Sequence, residues 1–199
     1  MHLTTPCAVR QTARHAPRLA VAAVLAAAAM LATGPARAEG AGALPEIRLA
    51  VAEMQVIPAY ASPRRDGHAD HRMKASPQRL AVNWARARIR AVGRADRARV
   101  IILEASVVEV PVTGKSGLFR RGPDRRYDAR LTISVEIRSD AGDLIGNARA
   151  TATRSQEVLK GVEGGRLQAI WRDFSERLVA DAARELDRQL RARLAQYVR

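Results

Sequence analysis

The histidines outside the first 38 residues, His68 and His71, sit together in Asp66-Gly67-His68-Ala69-Asp70-His71. Aspartate and histidine are ligand types for zinc, and a histidine beside a carboxylate is a pairing that general base catalysis uses. The spacing matches no closed metal site, and the surrounding segment is rich in proline and arginine. The sequence therefore predicts a solvated loop there, with nothing to rigidify it and no metal or cofactor. Glu104, Glu109 and Glu136 are the other carboxylates that invite a catalytic reading. They alternate with apolar neighbours on strands, which predicts one wet sheet face rather than an acid/base pair. No GxSxG, HExxH, GxGxxG or complete phosphate loop is present; Thr113-Gly114-Lys115-Ser116 lacks the spacing and the following helix. The expectation is a protein that is not an enzyme. The alternative is a hydrolase or metal-dependent enzyme working from the His68/His71 loop.

A second kind of chemistry is contact. Segment 113–126 carries Leu118 and Phe119 at its tip, flanked by Arg120, Arg121, Arg125 and Arg126. Two apolar residues among four guanidiniums suit an anionic lipid surface, with the apolar tip dipping in and the arginines meeting phosphates. The alternative is that Leu118 and Phe119 tuck back onto the core. The second candidate contact is the end of the last helix. Its apolar stripe runs Leu167, Ile170, Trp171, Phe174, Leu178, Ala182, Leu186, Leu190 and Leu194. Steps of four residues make such a stripe drift by ~40° each. Leu190 and Leu194 are thereby predicted to leave the sheet and face its edge, a second copy of the chain through this helix, or another protein.

The elements that must position these residues read as β-α-β-β-β-α. Ile47 to Ile57 is a strand, and residues 58–76 are a loop. Ser76-Pro77 caps a helix running to about Val92 and stopping at Gly93. Arg88 lies on that helix's apolar side, either snorkelling to water or paired with Glu104. Val100 to Val112 is a central strand, and Tyr127 to Arg138 alternates strictly, with Thr132 and Ser134 on the wet side. Asp140-Ala141-Gly142-Asp143 is a hairpin turn, and Leu144 to Val158 returns with small residues, Gly146, Ala148, Ala150 and Ala152, facing inward. Residues 166–198 form the long helix, which should overhang strands of eight to ten residues. The fold class is α+β, a four-stranded antiparallel sheet with both helices on one face.

Residues 1–38 read as a secretory signal: Arg10, Arg14 and Arg18, the apolar run Leu19 to Ala32, then Ala36-Arg37-Ala38. The apolar run has 14 residues, short of the ~20 that span a bilayer. An uncleaved anchor is the alternative. Residues 39–46 are a flexible tail and 47–199 one domain. The single cysteine, Cys7, lies inside the signal, so the exported chain has no disulfide and no cysteine to carry a lipid. Removing the signal's four arginines takes the net charge from +14 to +10. All but three of the 34 basic residues are arginine. Export sets nucleic acid aside as a partner and points to a periplasmic envelope protein, anionic lipid or lipopolysaccharide phosphate.

The order of elements, with Trp84 and Gly93 about the first helix, Ala105 to Val110 and Tyr127-Asp128-Ala129-Arg130-Leu131 on the central strands, and a long charged last helix, resembles an uncharacterised family of proteobacterial periplasmic proteins over about residues 46–198. At the fold level it is similar to the lipopolysaccharide-assembly lipoprotein, to auxiliary lipoproteins of ABC-type lipid transporters and to the N-terminal domain of the Tol translocation protein. The resemblance implies a non-enzymatic adaptor or binding module in envelope assembly or lipid transport. This chain departs from the lipoproteins by lacking the lipidated cysteine. Mass spectrometry of the exported form should find Glu39 as its first residue; recovery of residues 1–38 on a cytoplasmic protein would contradict export.

Overall fold

Strict alternation makes β5 (Pro123–Arg138) the centre of the fold. Tyr127, Ala129, Leu131, Ile133, Val135 and Ile137 are at most 4% exposed, all on one face. The computed structural model describes residues 46–112 and 122–199. In it β5 is flanked by β4 (Arg97–Pro111) and β6 (Leu144–Leu159), both antiparallel to it, with Leu131 opposite Ala105 and Ala152. A bulge at Leu103 adds one residue to β4, so Ile102 and Ala105 both face the core while Leu103 points to solvent.

The fourth strand corrects the fully antiparallel expectation. β2 (Glu53–Pro58) pairs with β4 in parallel, Glu53 opposite Arg97 and Pro58 opposite Ile102. The chain between them crosses over through helix α1 (Pro77–Arg88), which returns it to the end where β2 began; only a crossover of that length joins parallel neighbours. The sheet order is β2-β4-β5-β6. The expected first strand is also broken. β1 (Ile47–Leu49) leaves the main sheet and pairs in parallel with β3 (Ile89–Ala91). Ala50 N donates to Tyr197 O at 2.7 Å and Arg199 N to Arg48 O at 2.9 Å, so the chain's last residues hold its first strand.

Helix α1 is capped as its sequence predicts, Ser76 accepting from Arg79 N and Pro77 in the first turn. It ends at Arg88, earlier than Gly93, because Ile89, Arg90 and Ala91 are drawn into pairing with β1. Gly93 serves instead at a backbone contact. A Cβ there would lie 2.4 Å from Ala50 C and 2.6 Å from Val51 N, and Gly93 N donates to Val51 O at 2.8 Å. Arg88 is half-buried, and Glu104 is held by Arg130 at 3.1 Å, so the paired reading of Arg88 gives way to the snorkelling one.

Helix α2 (Gly164–Arg193) packs beside α1 on the same face, chiefly over β6. The overhang expected of it does not occur. Its 30 residues span about 45 Å, and the 16 residues of β5 or β6 span about 50 Å. The strands are longer than eight to ten residues, and so the sheet runs the length of the helix. Nor does the stripe leave the sheet: Leu186 and Leu190 are fully buried and Leu194 is 3% exposed. A stripe that winds around a helix stays on a sheet that twists beneath it. The small residues of β6 let it come close, and Leu194 Cδ2 lies 2.6 Å from where a Cβ on Gly146 would stand.

Thr132 and Ser134 depart from the wet-face expectation in a smaller way. They are 8% and 2% exposed. Each is a short side chain on the central strand, shadowed by taller neighbours: Ile101 and Arg149 beside Ser134, Glu104 and Thr151 beside Thr132. No helix of the described residues is long and apolar enough to cross a membrane.

Truncating Leu190 to Ala should cost about 2–5 kcal/mol, as deletion of a fully buried leucine does, read from urea unfolding. A stability within a few tenths of a kcal/mol of wild type would return Leu190 to the surface.

Candidate functional site

The loop after β2 is a built structure, which corrects its reading as an unrigidified loop. When β2 ends, β4 continues with an open edge, and residues of the loop take that edge in turn. Tyr60 N donates to Ile102 O at 3.0 Å, Ala69 N to Val107 O at 2.8 Å, and Glu109 N to Gly67 O at 2.7 Å. Gly67 has φ +83°, a conformation that glycine adopts freely. Asp70–Arg72 forms one 3₁₀ turn, and Met73 behind it is buried in the core. Helix α2 holds the far side: Gln168 Nε2 donates to Arg72 O at 3.1 Å, and its Oε1 accepts from Lys74 N at 3.0 Å.

Between this loop and the end of β4 lies a cleft of about 530 Å³ lined by Arg64, Arg65, His68, His71, Arg72 and Glu109, with Asp66, Gly67 and Pro111 completing it. Glu109 is neutralised from two sides. Arg72 Nη2 stands 2.6 Å from Glu109 Oε2, and Arg125 Nη1 stands 3.9 Å from Oε1. Arg72 also lies 5.8 Å over the Trp171 ring, a cation–π contact, and Trp171 meets buried Tyr127 edge-on at 5.4 Å. Arg64 and Arg65 are exposed and, among the described residues, enter no ion pair.

Behind the cleft wall Asp70 is buried. Its Oδ2 accepts from the Tyr60 hydroxyl at 3.3 Å, and its Oδ1 faces His68 Nδ1 at 3.7 Å, where neither of those two atoms has a hydrogen-bond partner among the described residues. Burial, then the charge of Asp70, pushes the Tyr60 phenol up to about 12. Burial, then the Glu109 carboxylate, raises that of Tyr127, and Tyr197 is raised by burial and Asp96.

The candidate metal quartet does not converge. Asp70 is turned inward to Tyr60 while Asp66 and His71 are exposed, and among the described residues no three His, Cys, Asp or Glu side chains come together to hold a metal ion.

The residues predicted for contact fare unequally. Leu118, Phe119, Arg120 and Arg121 lie outside the described residues. Arg125 is occupied internally: besides Glu109 it reaches Asp124 at 3.5 Å and donates to Val162 O at 2.9 Å. Arg126 forms a bidentate pair with Asp128 at 2.8 and 2.9 Å, which holds that carboxyl below its usual range. Leu190 and Leu194 are buried in their own protomer and form no exposed stripe. The sequence reading missed Arg64, Arg65 and Arg72 as a group. No spacing announces them; what unites them is the pairing of their loop with β4, which makes residues 60–72 a strap along that strand's edge.

No family model matches the chain. No curated protein matches it either. Among solved structures it is similar to a "putative lipoprotein" of Caulobacter crescentus CB15, 16% identical over 72% of this chain and 90% of that one, with a TM-score of 0.41. It is also similar to a minor lipoprotein of Acinetobacter baumannii, 15% identical over 72% of this chain and 93% of that one, with a TM-score of 0.39.

The fold favours the protonated Tyr60 phenol, so this group's contribution to stability is complete below pH 10 and is lost as pH climbs toward about 12. The Tyr60→Phe variant should therefore lose stability less steeply than wild type across that range. Urea midpoints that fall in parallel would contradict the burial of Tyr60 against Asp70.

Proposed function

We propose that this chain is a non-enzymatic adaptor or binding module of the bacterial cell envelope, exported and not lipid-anchored, that meets the phosphates of an anionic lipid surface through its arginine-lined cleft. One observation carries the reading: Arg64 and Arg65, without an ion pair among the described residues, line a cleft of about 530 Å³ on a strap fixed to both β4 and α2, beside Arg72, which Glu109 already holds. Guanidiniums held on a fixed backbone suit phosphate recognition better than guanidiniums on a free loop, because less ordering entropy opposes binding. The chain's mature charge of +10 brings such a surface closer. Segment 113–126, with Leu118, Phe119, Arg120 and Arg121, begins two residues beyond Pro111 at the cleft's edge and would add to the same contact.

The enzyme reading has one observation in its favour, the approach of His68 to buried Asp70. Against it, the described residues that line the cleft include no serine, threonine or cysteine. Assay of the purified protein against phosphate and carboxylic esters separates the two: a hydrolase turns one over and loses that turnover in the His68→Ala/His71→Ala double variant, and an adaptor turns over none.

Co-sedimentation with phosphatidylglycerol-containing vesicles tests the adaptor reading. At ~1 kcal/mol per arginine near an anionic surface, Arg64→Gln/Arg65→Gln should bind roughly ten- to thirtyfold more weakly. Wild-type binding should fall as salt rises. Arg90→Gln/Arg94→Gln, the same charge change at the opposite end of β4, should lose much less. Equal losses from the two pairs would mean net charge acts rather than the cleft.

A further inference from the structure

We propose that the cleft seats a single phosphate-class oxyanion, and that binding is coupled to uptake of a proton by His68, which Asp70 anchors from behind. This rests on the cleft being the contact site.

Among the described residues two facing buried atoms lack a partner. Asp70 is 4% exposed and makes one hydrogen bond, from Tyr60, while its Oδ1 has none. His68 Nδ1 lies 3.7 Å away, also buried and without a partner. A buried carboxylate oxygen left without a donor is costly, and native structures rarely leave one without a use. The group that completes this pair is an imidazole carrying Nδ1–H, and the gap closes with a small ring movement. Ring geometry puts Nε2 on the side away from Asp70, toward the cleft that His68 lines.

With one proton, on Nδ1, His68 offers the cleft only an acceptor. With two it donates to Asp70 on one side and to a bound anion on the other. Asp70 stands behind the ring, with the Tyr60 phenol beyond it. Across the cleft stand Arg64, Arg65, Asp66 and His71, while Arg72 and Glu109 are paired to each other and Glu109 also nears Arg125. A dianion in the cleft accepts from Nε2–H and so favours the ring that carries both protons. Anion and proton therefore strengthen each other's binding, and by linkage the effect is reciprocal. The cleft is much larger than one phosphate group, so a phosphate carried on a lipid headgroup and a free oxyanion share the chemistry it recognises.

Sulfate is the probe, because it stays a dianion throughout the range and its own charge cannot produce a pH slope. Calorimetric titration of the purified protein at constant ionic strength should show affinity rising about tenfold as pH falls from 8.5 to 5.5, the scale of one charge-assisted hydrogen bond. The slope should vanish in His68→Gln and persist in His71→Gln. A flat wild-type profile, a slope that survives in His68→Gln, or no sulfate binding at any pH would overturn the proposal. If it is overturned while vesicle binding still depends on Arg64 and Arg65, the adaptor reading stands without it. Sulfate that displaces the protein from phosphatidic acid vesicles supports the site with lipid phosphate as its ligand. Sulfate that binds with the expected slope yet displaces nothing supports the site with a free oxyanion as its ligand, and then it is the lipid-surface reading that fails.

Discussion

Helix α2 comes close to the sheet because β6 presents Gly146, Ala148, Ala150 and Ala152 beneath it. Much of the remaining structure depends on that approach. The helix is nearly as long as the hairpin under it, so it reaches both ends of the sheet. At one end Trp171 and Gln168 hold Arg72 and the strap, and with them one wall of the cleft. At the other, Leu194 seals against Gly146 and the chain turns back so that Val198 bridges to Leu49. Lifting α2 from β6 would loosen the cleft and the clasp on β1 together, although they lie at opposite ends of the sheet.

The electrostatics divide the arginines into two groups. Arg125, Arg126, Arg130 and Arg154 are paired with acids on strands or on α2, at 3.9 Å or less. Exposed pairs of this kind add little stability, with a median near 0–1 kcal/mol, but they occupy the charge. Arg64 and Arg65 are of the other group, exposed on a fixed strap and without an ion pair among the described residues. Arg86, Arg90, Arg94, Arg149, Arg166, Arg172 and Arg177 are likewise exposed and outside the ion pairs among the described residues, so what sets Arg64 and Arg65 apart is the cleft they line. Composition alone gives a charge of +10 with no direction.

The local patterns were legible where one physical rule dominates. Alternation located the buried face of β5, the Ser76-Pro77 cap located the start of α1, and the run of small residues in β6 announced a closely packed helix. Reading failed where distant backbone decides. Gly93 looks like a helix stop, yet pairing with β1 ends the helix earlier, and the glycine answers to Ala50 and Val51. The stripe through Leu190 and Leu194 winds off a straight axis, and the twist of the sheet, which no residue spells out, keeps it buried. The cleft was the least legible feature. The strap looks like loop because its partners are the main-chain groups of β4, and main-chain groups leave no trace in side-chain periodicity.

The proposed contact of the strap end of β4 with an anionic surface is open to direct observation. The most direct measurement is the map of amide chemical-shift changes when the isotope-labelled protein is titrated with phosphatidylglycerol nanodiscs. The account predicts changes concentrated in Arg64 to Arg72 and at Glu109 and Val110, with the exposed face of α2 unmoved. Changes centred on α2 or on β6, with the strap silent, would contradict it.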